Sequence, residues 1–368
     1  MIGRPFRILA LEAAPLSVPL VEPFVIATAR MDATRAALVH ARIERGGRLF
    51  AGFGEAAALP PVTREDQPEL IELVRGAPAD RGWHEVSELD TVLDSLSGGS
   101  MVVRAAIDAA LSDALARSEG RSVAAWLAGD GPTAPTMRTD VTLPIAEPDH
   151  MARNARAWRA RGFDVFKGKV GRARDSDRDA LRAVHAEVPD ARFRLDANEG
   201  FTARDALALL DDARAAGLVI ECFEQPCRRD DPAAMAEVTA HAGLPVVADE
   251  SLRSEADLDA VLSGRLATAV NLKLVKLGGL RRALAIGARA RREGLGVMAG
   301  AMVETKLGLT AMAHVVAALG GVDWVDLDTA LLLTRDPFDG GIRGEGPEIT
   351  IDPAMAGLDL RILDVYDF

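Results

Sequence analysis

The sequence predicts an α/β protein: a parallel barrel preceded by a smaller α+β unit. Three observations carry this reading. From about residue 136, eight short apolar β-runs recur, most of them separated by amphipathic helical stretches. Ahead of that point strands come first and helices follow. Beyond residue 333 the alternation lapses into a stretch rich in Gly and Pro. A chain of 368 residues accommodates two or three domains, and 49% hydrophobic residues can fill their cores.

In the first unit, residues 6–14, 36–44 and 49–54 read as strands, and Gly46-Gly47 between the last two is a hairpin signal. Residues 67–75 read as a helix. Residues 101–116 read as a stronger one, from apolar residues at Val103, Ile107, Ala110, Leu111 and Leu115. Gly52-Phe53-Gly54 lacks the third glycine and the strand-to-helix context of a dinucleotide loop. The barrel β-runs are 138–143, 165–170, 192–196, 218–224, 245–249, 269–274, 296–299 and 324–328, with helices such as 205–216 and 255–263 between them. Eight such runs match a parallel barrel better than an open sheet. The expected division is 1–130, 131–333 and 334–368.

Composition narrows the function. Lys and Arg number 43 against 55 Asp and Glu, a net charge of −12, which argues against nucleic acid and anionic membrane as main partners. No apolar run is long enough for a membrane span, and Glu12 cuts the N-terminal apolar run short of a signal peptide. Cys222 and Cys227, five residues apart, make neither a disulfide framework nor a four-ligand zinc site, so a reduced, cytoplasmic protein is expected.

Side chains at the C-terminal ends of barrel strands face the active site. Three consecutive β-runs end in acids: Asp196, Glu224 and Asp249, spaced 28 and 25 residues apart, about one βα unit each. Three convergent carboxylates repel one another without a cation, and a hard divalent ion such as Mg²⁺ suits all-oxygen donors. Capping of the following helix explains one such acid more readily than three in successive strands. Lys167 and Lys169 share one face of the 165–170 run, because side chains alternate along a strand. Lys273 stands near the end of the 269–274 run, and Lys276 three residues further on falls in the strand or the loop after it. Desolvation and a neighbouring ammonium both lower a lysine pKa, as Lys167 would do for Lys169, and that makes a base usable near neutral pH. A metal-held carboxylate flanked by two lysines suits proton abstraction alpha to that carboxylate, and a second lysine on the opposite face permits racemisation or epimerisation.

These residues in this order resemble the enolase superfamily, and within it the muconate lactonising enzyme subgroup. The resemblance rests on Lys-Gly-Lys at 167–169, Asp196 with Asn198, Phe-Glu-Gln-Pro at 223–226, Ala-Asp-Glu-Ser at 248–251, Asn-Leu-Lys-Leu at 271–274 and Gly-Ala-Met-Val-Glu-Thr at 300–305. It implies a modified (β/α)7β TIM barrel with an N-terminal α+β capping domain, to which residues 334–368 return. Loops near 20–35 and 52–63 close over the substrate. It further implies one Mg²⁺ per subunit on Asp196, Glu224 and Asp249, catalytic Lys169 and Lys273, and a homo-oligomer. Asn198 and Glu250 would support the metal ligands, and Glu304 would touch substrate. The mandelate racemase subgroup uses a late histidine base, and none of the six histidines here ends a barrel β-run.

The last β-run closes with Asp326-Leu327-Asp328, which places two carboxylates on one face without a role for the metal. This is similar to the Asp-x-Asp of dipeptide epimerases, which holds the substrate α-ammonium. Lys167 would neutralise the enediolate. The Ala-Glu branch carries an Arg in the capping loop. Here Ala29 stands at that place with Arg30 beside it, so the substrate-binding loop is equally compatible with an uncharged side chain. The expected activity is Mg²⁺-dependent 1,1-proton transfer at the C-terminal residue of a dipeptide. N-acylamino acid racemase, o-succinylbenzoate synthase and muconate cycloisomerase are the alternatives.

Overall fold

Alternating burial shapes the strands β1 (Phe6–Leu16), β2 (Pro19–Val25), β3 (Arg30–Ala33), β4 (Ala36–Arg45) and β5 (Arg48–Ala57), which precede helix α1 (Gln67–Arg75) and the short β6 (Trp83–His84) in the computed structural model. The structure describes residues 4–60, 62–78, 82–129, 131 and 133–368. Strands β5, β4, β1 and β6 form one antiparallel sheet in that order, while β2 and β3 make a separate hairpin. That hairpin lies where the sequence signals only a loop, because Glu22, Pro23, Arg30 and Asp32 interrupt its apolar pattern.

Helices α2 (Leu89–Leu96), α3 (Met101–Glu119) and α4 (Val123–Ala128) follow. α3 is buried almost along its whole length and shows no one-sided apolar stripe. One side lies on the sheet, the other meets the barrel, so a single wet face does not exist. Its close approach to β5 depends on Gly52 and Gly54. A Cβ at Gly54 would stand 2.0 Å from the Ala106 carbonyl oxygen, and one at Gly52 would stand 2.2 Å from that of Ala110.

The barrel begins after β7 (Thr136–Arg138) and runs β8 (Val141–Leu143), α5 (Pro148–Ala160), β9 (Val165–Lys169), α6 (Arg174–Glu187), β10 (Arg192–Asp196), α7 (Ala203–Ala215), β11 (Val219–Glu224), α8 (Pro232–His241), β12 (Val246–Ala248), α9 (Glu255–Gly264), β13 (Ala269–Leu272), α10 (Leu274–Leu277), α11 (Leu280–Arg292), β14 (Gly296–Gly300), α12 (Lys306–Ala318) and β15 (Trp324–Asp326). Strands β8 to β15 pair in sequence order, each parallel to the next, and a parallel bridge from Thr139 to Val325 brings the sheet ends together. Eight strands with seven helical crossovers make the (β/α)7β form.

Three β-runs differ from the sequence reading. Residues 138–143 are not one strand: β7 pairs with β17 (Glu348–Thr350), which follows β16 (Phe338–Gly340), and only β8 enters the barrel. Residues 269–274 stop at Leu272, since Lys273 precedes the single turn α10, closed by left-handed Gly278. Residues 324–328 stop at Asp326, since Asp328 opens a 3₁₀ turn over Thr329–Leu332.

The capping unit completes two barrel helices. Asp108 Oδ2 accepts the N–H of Leu280 at 2.7 Å, at the start of α11, and Arg104 donates to the Gly278 carbonyl just before it. The Glu55 carboxylate accepts from Thr305 N at 3.1 Å, Thr305 Oγ1 at 2.6 Å and Gly308 N at 3.0 Å, at the start of α12. The C-terminal stretch touches both units. β18 (Leu360–Ile362) pairs with β16, the Leu358 N–H bonds Asp113 on α3, and Ile342 N bonds Thr310 on α12. Among the described residues no helix is long and apolar enough to cross a membrane.

The glycine contacts give a test of this packing. Gly54→Ala, adding one methyl against helix backbone, is expected to cost about 1–3 kcal/mol or more, as overpacking does. Urea unfolding followed by circular dichroism measures it; an unchanged midpoint would refute the claim that α3 needs the glycine surface.

Candidate active site

The register of three neighbouring strands builds the site. Lys169 on β9, Asp196 on β10 and Glu224 on β11 are lateral partners, so the three side chains stand in one row at the C-terminal rim. Glu224 pairs with Val247 on β12, and Asp249 follows two residues on, on the same face. All three acids are buried.

Ammonium groups thread between them. Lys167 Nζ lies 3.0 Å from Asp196 Oδ2, 2.7 Å from Glu224 Oε2 and 2.7 Å from Asp326 Oδ2, the last on β15, past β8 at the closure of the barrel. Lys169 Nζ donates to Asp196 Oδ2 at 2.6 Å and to Asn198 Oδ1 at 3.4 Å. Lys273 Nζ donates to Asp249 Oδ2 at 2.9 Å and lies 3.9 Å from Glu224 Oε1. Lys276, which the sequence left between strand and loop, is buried in α10 with its ammonium on Asp249. So Lys169 and Lys273 sit on either side of the carboxylate row, one toward Asp196 and one toward Asp249.

Polar partners fix the row. Asn198 N donates to Asp196 Oδ1 at 3.0 Å, and its Nδ2 donates to Glu250 Oε1 at 3.2 Å. Two positioning residues escaped the sequence reading. Asn271 Nδ2 donates to Glu224 Oε1 at 2.7 Å; it lies two residues before Lys273, and strand alternation was a usable signal. Gln225 Oε1 accepts the N–H groups of Asp249 and Ser251 at 2.9 and 3.1 Å. Gln225 has a left-handed φ of 33°, which no local pattern announces.

Burial raises every one of these carboxyl pKa values, and the lysines decide the net result. The ammoniums of Lys169, Lys167 and Lys273 outweigh burial at Asp196 and hold it well below the usual carboxylate range; Lys273 and Lys276 do the same for Asp249. Glu224 remains raised, by burial and then by Asp196. Glu250 is pushed up to about 8 by burial and the charges of Asp249 and Asp196. The expected lowering of lysine pKa meets a counterweight. Burial lowers Lys167 and Lys273, but the carboxylates they hold carry both above the ordinary lysine value. Lys276 ends lowered, mainly by burial.

Among the described residues no three acidic, histidine or cysteine side chains converge at metal distances, because ammoniums stand between the acids. The donor set nonetheless fits a hard cation. It is all oxygen, its members repel one another, Glu224 Oε2 has only the Lys167 ammonium against it, and Glu250 Oε2 is buried without a hydrogen bond.

The two aspartates after β14 differ: Asp326 lines the mouth, and Asp328 does not. Asp326 is engaged by Lys167. Asp328 is fully buried, its Oδ2 accepts the Thr142 N–H at 2.5 Å, and its Oδ1 has no partner. Burial and then the charge of Asp326 push Asp328 up to about 7. Phe24 and Ile26 from the β2–β3 hairpin and Leu59 and Val62 after β5 close over the row, leaving a cavity of only about 20 Å³ lined also by Thr142, Ala301, Met302 and Val303. Pro61, within the expected capping loop, lies outside the described residues. Ala29 and Arg30 do not line this space; Arg30 is exposed and paired with Asp32 at 3.0 Å. Glu304 does not line it either. It bonds back to Met302 N at 2.8 Å and faces Glu55, and burial raises these two carboxyls to about 7 and about 8. None of the six histidines lines the mouth. Buried His314 accepts the Ala124 N–H, a packing role.

Such a barrel, with acids on three successive strands and lysines on both flanks, defines a class of protein. Residues 11–128 match the mandelate racemase / muconate lactonizing enzyme N-terminal domain, and residues 150–362 match the enolase C-terminal domain-like family. The chain belongs to this family of the enolase superfamily. It is 36% identical over 346 residues to an L-Ala-D/L-amino acid epimerase of Populus trichocarpa, covering 91% of this chain and 80% of that protein. Among solved structures, a substrate-liganded L-Ala-D/L-Glu epimerase from Bacillus subtilis superposes with a TM-score of 0.88 at 32% identity, covering 96% of this chain and 98% of that one. A dipeptide epimerase from Enterococcus faecalis V583, complexed with Mg and L-Leu-L-Tyr, gives 0.87 at 28% identity, with coverage of 96% and 99%.

Lys167 offers a test that needs no substrate. Lys167→Met leaves three buried carboxylates facing one another and is expected to cost about 3–5 kcal/mol, the usual result of removing one partner from a buried ionic cluster. Urea unfolding in EDTA measures this; a loss under 1 kcal/mol would show that Lys167 does not hold the cluster together.

Proposed function

We propose that this protein is a Mg²⁺-dependent dipeptide epimerase that inverts the α-carbon of the C-terminal residue. The observation that carries the reading is the pair of lysines on opposite flanks of the carboxylate row, together with a buried, unpartnered Asp328 oxygen. Asp196, Glu224 and Asp249 would hold the metal, with Asn198, Asn271 and Glu250 keeping them in place. Bound there, Mg²⁺ supplies positive charge against the substrate carboxylate and so acidifies the adjacent C–H.

The chain's own groups do the rest. One of Lys169 and Lys273, as the free amine, takes the α-proton: the C–H bond breaks, an N–H bond forms, and the electron pair moves toward the carboxylate. The other lysine, as the ammonium, returns a proton to the opposite face, and the centre is inverted. Lys167 stays cationic and balances charge at the carboxylate. Asp328, with Asp326 beside it, accepts the substrate α-ammonium through the oxygen that lacks a partner. Phe24, Ile26, Leu59 and Val62 exclude water. Since about 20 Å³ is far less than a dipeptide occupies, these four move aside for entry. Arg30 is spent on Asp32, so the capping loop offers no free cation to an acidic side chain. Cys222 and Cys227, buried and unbridged, fit work in the reducing cytoplasm.

Incubation of a dipeptide library with Mg²⁺ in D₂O should place one deuteron at the C-terminal α-carbon. Exchange on N-acyl amino acids alone would refute the assignment. Lys169→Ala and Lys273→Ala should each abolish epimerisation, and full activity in either would remove that lysine from the mechanism.

Metal binding can be read without turnover. Millimolar Mg²⁺ should raise the wild-type Tm, as any ligand of the native state alone does, and should leave that of Asp249→Ala nearly unmoved. Equal shifts would place the ion elsewhere.

Asp328 gives a pH test. Its raised pKa means the ionised, ammonium-accepting form is present above about 7 and lost as pH falls through that value. KM for dipeptides should therefore rise below pH 7. Asp328→Asn should raise KM about 30-fold or more at pH 8, in line with about 2–5 kcal/mol for a buried charge partner, and flatten that rise. A KM unchanged by Asp328→Asn would remove this residue from binding.

A further inference from the structure

Beside the barrel mouth lies a second cavity of about 250 Å³, between the capping hairpin and α5. Apolar groups dominate its walls: Val21, Phe24, Trp158, Leu331 and Leu332 stand there with Ala157. Its volume falls below the ~300–1,000 Å³ of pockets that take a whole small ligand and suits a single large side chain. Phe24 and Thr142 line both this cavity and the mouth, so the two spaces share one wall. Thr142 is also the residue whose N–H binds Asp328.

The charged groups at its edge are already spoken for. Glu22 accepts from His150 at 2.8 Å and from Asn154 at 3.0 Å. The Arg161 guanidinium lies 4.3 Å over the Trp158 ring and donates to the Glu345 carbonyl at 3.1 Å. A charged occupant would have to draw either group away from these partners, whereas an apolar one meets only the apolar walls. Val21 is 65% exposed at the rim, so burying it against a ligand removes apolar surface from water.

We propose that this cavity is the side-chain subsite for the N-terminal residue of the substrate, and that it selects dipeptides with a large uncharged, apolar or aromatic residue at that position. The inference rests on the epimerase reading, which sets the α-ammonium on Asp328. The side chain leaves the same α-carbon as that ammonium. With the ammonium on Asp328 Oδ1, the Cβ therefore falls beside Thr142 and the cavity opening. The C-terminal side chain is attached at the other end of the molecule, near the lysines, and cannot reach it at the same time.

The experiment compares X-L-Ala and X-L-Glu dipeptides, with X as Gly, Leu, Phe, Asp and Lys, by C-terminal deuterium exchange in D₂O with the Mg²⁺-loaded full chain. Leu and Phe should exceed Gly, Asp and Lys in kcat/KM by about 10- to 100-fold in both series, the range one apolar pocket provides. Ala157→Phe, which fills the cavity from an exposed helix position, should bring the Phe-to-Gly ratio down toward one, and Trp158→Ala should lower it. Equal rates for all X, or a ratio untouched by Ala157→Phe in a protein with unchanged Tm, would overturn this subsite while leaving epimerisation standing. Exchange confined to N-acetyl amino acids would overturn both.

Discussion

Four carboxylates and four ammoniums share the closed end of one barrel, and the charge balance among them governs the rest of the site. Lys167 is the centre of that balance. From β9 it reaches acids on β10, β11 and β15, so a single side chain ties strands on both sides of β9 together across the closure of the barrel. Taking several like charges out of water is tolerable only when each is paired. The lysines meet that demand in the ground state of the protein, and in the proposed reaction two of the same lysines take and give the proton. Structural necessity and chemical competence fall on one set of residues.

This sharing explains why the pKa values run as they do. Carboxylates keep Lys167 and Lys273 protonated, while Asp196 and Asp249 stay ionised at the expense of Glu224 and Glu250. A cation placed on the acids takes over the neutralisation, and the lysines are then free to differ in protonation. Asp328 stands outside this exchange. Its neighbours Thr142 and Asp326 neither neutralise nor fully bond it, which is what its proposed role as ammonium acceptor requires.

Much of this was legible in the chain. A two-residue period puts Lys167 with Lys169, and one βα unit separates Asp196, Glu224 and Asp249; both are local rules that tertiary structure does not override. The strand ends were less legible. Lys273 sits one residue and Asp328 two residues beyond a strand, where the apolar neighbours Leu274 and Leu327 continue the β-like pattern. The hairpin of β2 and β3 was invisible because its function over the mouth admits prolines and charges where a sheet strand would not. Asn271 and Gln225 carry no charge; both fall inside motifs the sequence displays, but only their hydrogen bonds show what they hold. The cavity beside α5 is assembled from four separate segments and has no sequence signature at all.

The capping unit also lends carboxylates to the barrel: Asp108 to the first turn of α11 and Glu55 to that of α12. Helix starts elsewhere in the barrel draw on their own segments, as Thr202, Asp231 and Ser254 do. The last third of the barrel therefore borrows part of its helix-start satisfaction from the capping unit, beside its own Thr305 cap. Grafting this catalytic rim onto another chain means transplanting both units together, and variation that re-tunes the hairpin must leave the sheet beneath it untouched.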